Sequence, residues 1–240
     1  VAVERLRGHA EQPDPEDRFT ALVYERLGPD DLVLDIGCGD GNWLRLVVAP
    51  RAARTIGLDY GIARLEQARD AQRAMPIRGL TYAWADARHL PFASSTFSAI
   101  INRRGPLTAS DAYMREGCRV LRTGGLIFEI GIGEQNAREV YEVFRRGQMF
   151  GEPERGPRVE RLQTFLREHG CTPLLAESLT TRVRFAGRDG LVFVLETTPM
   201  IEDFNRERDA SRVDEVVRRH STEGTVILTM HRTIVIAQKD

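Results

Sequence analysis

The sequence predicts an α/β fold built on a mostly parallel sheet. Short apolar, β-branched runs alternate with amphipathic helical stretches along most of the chain, as strands do when helices cross between them. The first such run, Leu32-Val33-Leu34-Asp35-Ile36, passes straight into a glycine turn, Gly37-Cys38-Gly39-Asp40-Gly41-Asn42, and a helical pattern opens at Trp43. A composition of 42% hydrophobic and 29% charged residues over 240 positions suits one large globular domain whose core needs no disulfides.

Taken in order, Asp14 and Pro15 predict a helix start, as N-cap and first-turn proline. Phe19, Leu22, Val23 and Leu27 continue that helix to the stop at Gly28-Pro29. Thr55–Asp59 reads as the second strand and Ile62 to Arg73 as a helix. Leu80–Ala85 is the third strand, followed by the loop Asp86-Ala87-Arg88-His89-Leu90-Pro91-Phe92. Phe97–Asn102 is the fourth strand, leading into Arg103-Arg104-Gly105-Pro106. Asp111–Leu121 reads as a helix stopped by Arg122-Thr123-Gly124-Gly125, and Leu126–Gly131 as the fifth strand. Residues 135–170 carry two helical patterns around a Gly151–Pro157 loop. Residues 174–179 lead into a sixth strand at Arg182–Phe185, and Gly224–Ala237 is a long last strand. Between those two strands, 187–221 is an insertion with an apolar segment and a polar helix, Ala210–His220.

A formal net charge of -1 gives no bulk attraction to nucleic acid or membrane. The cysteines, Cys38, Cys118 and Cys171, are odd in number and lack metal spacing, so reduced thiols and no metal site are expected. No signal peptide and no apolar run near membrane length is evident, so the expected location is cytoplasmic. The chain begins at Val1, which leaves room for an initiator methionine or a preceding segment.

The glycine turn carries the chemistry. Backbone without Cβ lets a ligand approach, and the following helix N-terminus offers free N–H groups. A dinucleotide fingerprint would place its third glycine where Asn42 stands, and no Gly-Lys-Ser/Thr is present for a Walker loop. Asp35 at the strand end would repel a diphosphate and better suits a ligand bearing an amino group. An NAD-dependent oxidoreductase is therefore disfavoured. Asp59 ends the second strand, where an acid can accept two hydrogen bonds from ribose hydroxyls.

The stretch Asp35-x-Gly37-x-Gly39-x-Gly41 resembles motif I of class I S-adenosylmethionine (SAM) methyltransferases. Asp86 to Phe92 resembles the family's D-x-x-x-L-P-F segment, and Val120 to Gly125 its V-L-K-P-G-G turn with Thr123 for proline. The resemblance covers about residues 15–135. It implies a Rossmann-like seven-stranded, mostly parallel sheet with an antiparallel last strand, plus a helical insertion before it. It implies one domain over 1–240, with 15–135 as the cofactor core and 136–170 and 187–221 as helical substrate-side additions. The implied cofactor is S-adenosyl-L-methionine, held by Asp35, Gly37, Cys38, Gly39, Asp59, Tyr60, Asp86, Ala87 and Asn102. In the family, acids in the positions of Asp35, Asp59 and Asp86 face the methionyl end, the ribose and the adenine. Arg103, Arg104, Glu129, Glu134, Phe193 and Met200 are the candidate substrate residues, and no catalytic base is assigned. The tetrad N/D-P-P-Y/F of amino-methylating nucleic-acid enzymes is replaced by Asn102-Arg103-Arg104-Gly105. The expected acceptor is a small molecule. The alternatives are an RNA base, from a narrower likeness to bacterial 23S ribosomal RNA guanine-N1 methyltransferases without their zinc module, and a non-catalytic SAM-binding or regulatory protein.

Overall fold

The structure, a computed structural model, describes residues 8–240. It opens with a two-residue strand, β1 (His9–Ala10), and a helix, α1 (Pro15–Arg26). Asp14 accepts the Glu16 N–H at 2.8 Å, and acids in the first turn with Arg26 in the last complement the helix dipole.

Four parallel strands follow: β2 (Leu32–Ile36), β3 (Arg54–Asp59), β4 (Leu80–Trp84) and β5 (Phe97–Arg103). β2 pairs with β3 on one side and β5 on the other, and β4 lies outside β3. The chain therefore reverses its direction of travel across the sheet at the β2–β5 boundary. The central strands β2 and β5 are buried almost throughout, so their sequences run continuously apolar instead of alternating. Helix α2 (Ile62–Ala74) follows β3, and α3 (Asp111–Val120) follows β5. The crossover after β2 is shorter than its apolar pattern suggests: Leu44–Val48 winds as a single π-helical stretch.

β6 (Leu121–Ile132) runs parallel to β5, with a register shift between Phe97 and Ala99. The glycine pair read as a helix stop falls inside this strand, where Gly124 takes a φ of 74°. Helices α4 (Arg138–Phe144) and α5 (Arg158–Glu168) occupy the two helical patterns of 135–170. β7 (Cys171–Ala186) is one strand of 16 residues, so the lead-in and the sixth strand of the sequence reading are continuous. The insertion holds α6 (Gly187–Thr197) and α7 (Ala210–His220), followed by β8 (Ser221–Thr222) and β9 (Thr225–Lys239). The strand order is β1-β7-β9-β6-β5-β2-β3-β4, with β8 paired to β9. The core sheet is largely parallel with an antiparallel terminal strand, a Rossmann-like α/β fold with helical insertions.

The residues gather into two compact units. Among the described residues, one contains Arg18–Gly131, Val159–Glu177 and Thr233–Asp240; the other contains residues 8–17, Ile132–Arg158 and Ser178–Arg232. The core of the first packs Leu34, Ile36, Phe97, Ile100, Ile127 and Val235, all fully buried. The core of the second packs Val140, Leu191, Val213, Val216 and Val226 among others. Among the described residues, no helix is long and apolar enough to cross a membrane.

Candidate functional site

In an open parallel sheet, ligands bind at the carboxyl ends of the strands where the strand order reverses. That place is where β2 and β5 end side by side. A cavity of about 590 Å³ lies there, within the range of small-ligand sites. Residues at four successive strand ends line it: Gly37 after β2, Asp59 and Tyr60 at β3, Ala85 to Arg88 after β4, and Arg104 to Pro106 after β5.

The glycine turn is held by backbone and by one acid. The N–H groups of Gly37 and Cys38 both donate to the Leu58 carbonyl, at 2.7 and 3.0 Å. The Asp59 carboxylate accepts the Gly39 N–H on one oxygen and the Gly61 N–H on the other, each at 2.7 Å. Asp59 therefore fixes the turn and the start of α2 together. Gly37 has a φ of 83°, and a Cβ on it would lie 2.9 Å from the Gly105 Cα. Only glycine satisfies both the left-handed backbone and this approach of one loop to another. Gly37→Ala is expected to lower stability by roughly 1–3 kcal/mol, read as a drop in the urea midpoint at unchanged m-value.

Beneath the turn, Asp35 is 3% exposed and its Oδ1 has no hydrogen-bond partner. Burial pushes its carboxyl up to about 7, opposed by the positive charge of Arg103 and assisted by Asp59. A buried, partnerless carboxylate oxygen is costly unless something polar meets it, so its presence points to a ligand. Burial, with Asp35 and Asp59 nearby, also pushes the Cys38 thiol well above its ordinary value, so it is no thiolate nucleophile at neutral pH.

Asp86 lies in the cavity wall, and its carboxylate is clasped by its neighbour. It accepts the Arg88 backbone N–H at 2.9 Å and the guanidinium through Nε at 2.9 Å and a terminal nitrogen at 2.6 Å. The Arg88 hydrogen bonds hold this carboxyl down near 2. Tyr60 is exposed and stacks on Trp84 at a centroid distance of 5.8 Å.

Of the residues expected at the cofactor, Asp35, Cys38, Gly39 and Asn102 are not in the cavity lining. Asn102 is fully buried; its amide donates to Glu129 and its Oδ1 accepts the Leu107 N–H at 3.2 Å. That bond braces the loop that carries Arg104 and Gly105. Glu129 is 1% exposed and also accepts from Thr108 at 3.1 Å. Arg104 is in the lining, with a left-handed φ of 60° and its N–H on the Ile130 carbonyl at 2.9 Å. Arg103 places its guanidinium 5.4 Å from the ring centroid of Trp43. Glu134, Phe193 and Met200 belong to the other unit. There Glu134 accepts the Arg158 N–H at 3.2 Å, Met200 packs against that unit's core, and Phe193 is half-buried on α6. Arg64, Arg88, Pro106 and Tyr113 also line the cavity and were missed in the sequence. Arg88 had a signal, standing two residues after a strand-end acid; Tyr113 had none, since α3 brings it from a different stretch.

Among the described residues, no group of three or more His, Cys, Asp or Glu is placed to hold a metal. Arg18 makes a two-bond pair with Glu177 at 2.7 and 3.1 Å, and Tyr24 lies under Arg51.

Comparison with known proteins agrees with this geometry. Residues 33–125 match a family described as a methyltransferase domain. Methyltransferase GfsG of Streptomyces halstedii is 36% identical over 114 residues, 45% of this chain and 41% of that protein. The 27-O-demethylrifamycin SV methyltransferase of Amycolatopsis mediterranei is 27% identical over 179 residues, 70% of this chain and 63% of that protein. The chain thus spans less than two thirds of either relative. Among solved structures, the YcgJ protein of Bacillus subtilis superposes with a TM-score of 0.65 at 16% identity, covering 93% of this chain and 98% of that one, a likeness of fold. The stretch similar to a methyltransferase domain, residues 33–125, thus contains the glycine turn at which the parallel sheet reverses.

Proposed function

We propose that the chain transfers a methyl group from SAM to a small-molecule acceptor. The observation that carries this reading is the buried, partnerless Asp35 oxygen beneath a glycine turn, at the strand-order reversal, beside a cavity edged by Asp59 and Asp86. A carboxylate there suits the ammonium of a methionyl group and opposes a diphosphate, which favours SAM over a dinucleotide.

In this reading Asp35 faces the amino group, while Gly37, Cys38 and Gly39 let the methionyl chain pass against backbone. Asp59 keeps lone pairs for ribose hydroxyls while it holds the Gly39 and Gly61 amides. Tyr60 covers one side of the nucleoside, and Asp86 with the Ala87 backbone borders the adenine. Asn102 acts from behind, bracing the 104–107 loop through the Leu107 amide. Bound SAM supplies its own activation, a sulfonium that makes the methyl group electrophilic. The chain's part is to hold donor and acceptor in line, an ordering worth roughly 7–11 kcal/mol of the barrier in favourable cases. Arg104 is the candidate substrate residue that lines the cavity, and no general base is assigned. The Amycolatopsis relative's name, a demethylrifamycin methyltransferase, supports a small-molecule acceptor. The likeness to ribosomal RNA guanine-N1 methyltransferases gains no support from the relatives above.

The test is transfer of label from methyl-labelled SAM to a panel of hydroxylated and carboxylic small molecules, and in parallel to total RNA. Label in the small-molecule fraction alone is the expected outcome. Label in RNA would favour the RNA reading, and tight SAM binding with no transfer to either would favour a regulatory protein.

A further inference from the structure

We propose that Cys118 and Cys171 form a redox-modification site, where a hydroperoxide oxidises the pair to an intramolecular disulfide that ties α3 to the start of β7. Neither cysteine lines the cavity described above, so the inference does not depend on the SAM reading.

Both thiols are free, and their sulfurs stand 3.6 Å apart. They come from distant places in the sequence, Cys118 from the last turn of α3 and Cys171 from the first position of β7. The fold brings them together in one core, where Cys171 is fully buried and the half-buried Cys118 packs against the same cluster. Their surroundings are fixed on both sides. The His169 carbonyl, just past α5, lies 3.6 Å from the Cys118 sulfur and 3.9 Å from that of Cys171. Lys239 Nζ donates to the Cys118 and Leu121 carbonyls at 2.7 and 2.8 Å, and the Asp240 N–H donates to the Gly170 carbonyl at 3.1 Å. A disulfide holds its sulfurs at about 2.0 Å, so bonding asks for an approach of roughly 1.6 Å, the scale of side-chain rotation.

The two thiols differ in the way an attacking and a resolving sulfur differ. Cys118 is partly exposed, and the hydrogen bond from Cys171, with the Lys239 ammonium, holds its thiol below its ordinary value against its burial. That cation is the only lysine in the chain. The same hydrogen bond, and then burial, pushes the Cys171 thiol up. Cys118 thiolate therefore attacks first: an S–O bond forms as the peroxide O–O bond breaks, and the leaving oxygen takes up a proton. Cys171 sulfur then attacks the sulfenic sulfur: the S–S bond forms, the S–O bond breaks, and the hydroxyl leaves with the Cys171 proton as water. The two thiols give up two electrons and the peroxide takes both. The bridge pins the last turn of the helix whose first turn carries Tyr113 of the cavity lining. Cys38, the third cysteine, sits in the glycine turn with its thiol pushed well above its ordinary value, and serves as an internal control.

The experiment exposes the folded protein to hydrogen peroxide, labels the remaining thiols with iodoacetamide after denaturation, and reads intact mass and tryptic peptides. Wild type is expected to lose about 2 Da before labelling. Of its three cysteines it is expected to take up label at Cys38 alone, and to yield a peptide joining 116–119 to 168–182 that dithiothreitol separates. Cys171→Ser, which keeps the attacking thiol, is expected to gain oxygen at Cys118 in a form that dimedone traps. Cys118→Ser is expected to keep both remaining thiols reduced. Three labelled cysteines in treated wild type, oxygen held on Cys118 with Cys171 unbridged, or a bridge joining two molecules would overturn the proposal. The wild-type peptide decides the matter even where the buried Cys171→Ser variant fails to fold.

Discussion

Asp35→Asn is expected to make the protein more stable and to weaken its binding of SAM. The carboxyl is 3% exposed and sits at about 7 against an unperturbed 3.8, with burial as the main cause. Between pH 4 and 7 the native state therefore holds a proton that the unfolded chain has released, and stability falls as pH rises through that window. Above pH 7 the native state bears the full cost of a buried charge. Asparagine keeps the shape and drops that charge, so at pH 8 the variant is expected to gain roughly 1–3 kcal/mol, shrinking toward zero near pH 4. Urea midpoints for both proteins at the two pH values check it. The same charge is what a ligand ammonium needs. Wild-type affinity for SAM is expected to fall as pH drops below 7, by up to about tenfold per unit, and the variant's weak residual affinity is expected to lack this dependence. A variant that loses stability at pH 8, or that binds as tightly as wild type, would contradict this account of Asp35. Stability given up at one position for a ligand's benefit is the trade-off expected of a functional site.

Asp209→Ala is expected to unfold or loosen the unit that contains α6 and α7. The Asp209 side chain is completely buried. It accepts from Arg146 at 2.9 Å, from Arg208 and Arg212 at 3.2 Å each, and from the Asn205 N–H at 3.0 Å. Burial alone would raise its carboxyl, but the Asn205 amide and the arginines hold it down near 2. Removing it takes an acceptor from each of three arginines, of which Arg146 and Arg208 keep Asp203, and leaves one backbone donor without its acceptor. Because Arg208 and Arg212 are about half exposed and screened, most of the loss comes from Arg146, and roughly 2–4 kcal/mol is expected. Thermal unfolding and proteolysis within 187–221 check it. A variant as resistant as wild type would show the network to be dispensable.

The centre of the sheet was legible because β2 and β5 are buried almost throughout and bounded by turn residues. The acids of the proposed donor site fall together because they end successive strands: Asp35 on β2, Asp59 on β3 and Asp86 just past β4 share one end of a parallel sheet by construction. Details of pairing were not legible. That Asp59 holds the turn by two amides, and that Arg88 clasps Asp86, depends on loop geometry a linear pattern does not encode. Strand β7 was cut in two because its exposed half alternates with polar residues, and the helix stop at Gly124-Gly125 was misplaced because glycine serves equally in an irregular strand start. Arg103 shows the limit most clearly. Read from the sequence as a loop residue, it ends β5 and lies over Trp43, 60 residues earlier in the chain.

The central claim is that the glycine turn and the three strand-end acids hold SAM. A crystal structure with S-adenosylhomocysteine tests it most directly. The expected result is density for the nucleoside in the cavity beside Asp59 and Asp86, with the amino acid end over the Gly37–Gly39 turn toward Asp35. Ligand bound elsewhere, or a cavity that stays empty at saturating ligand in a folded protein, would contradict it.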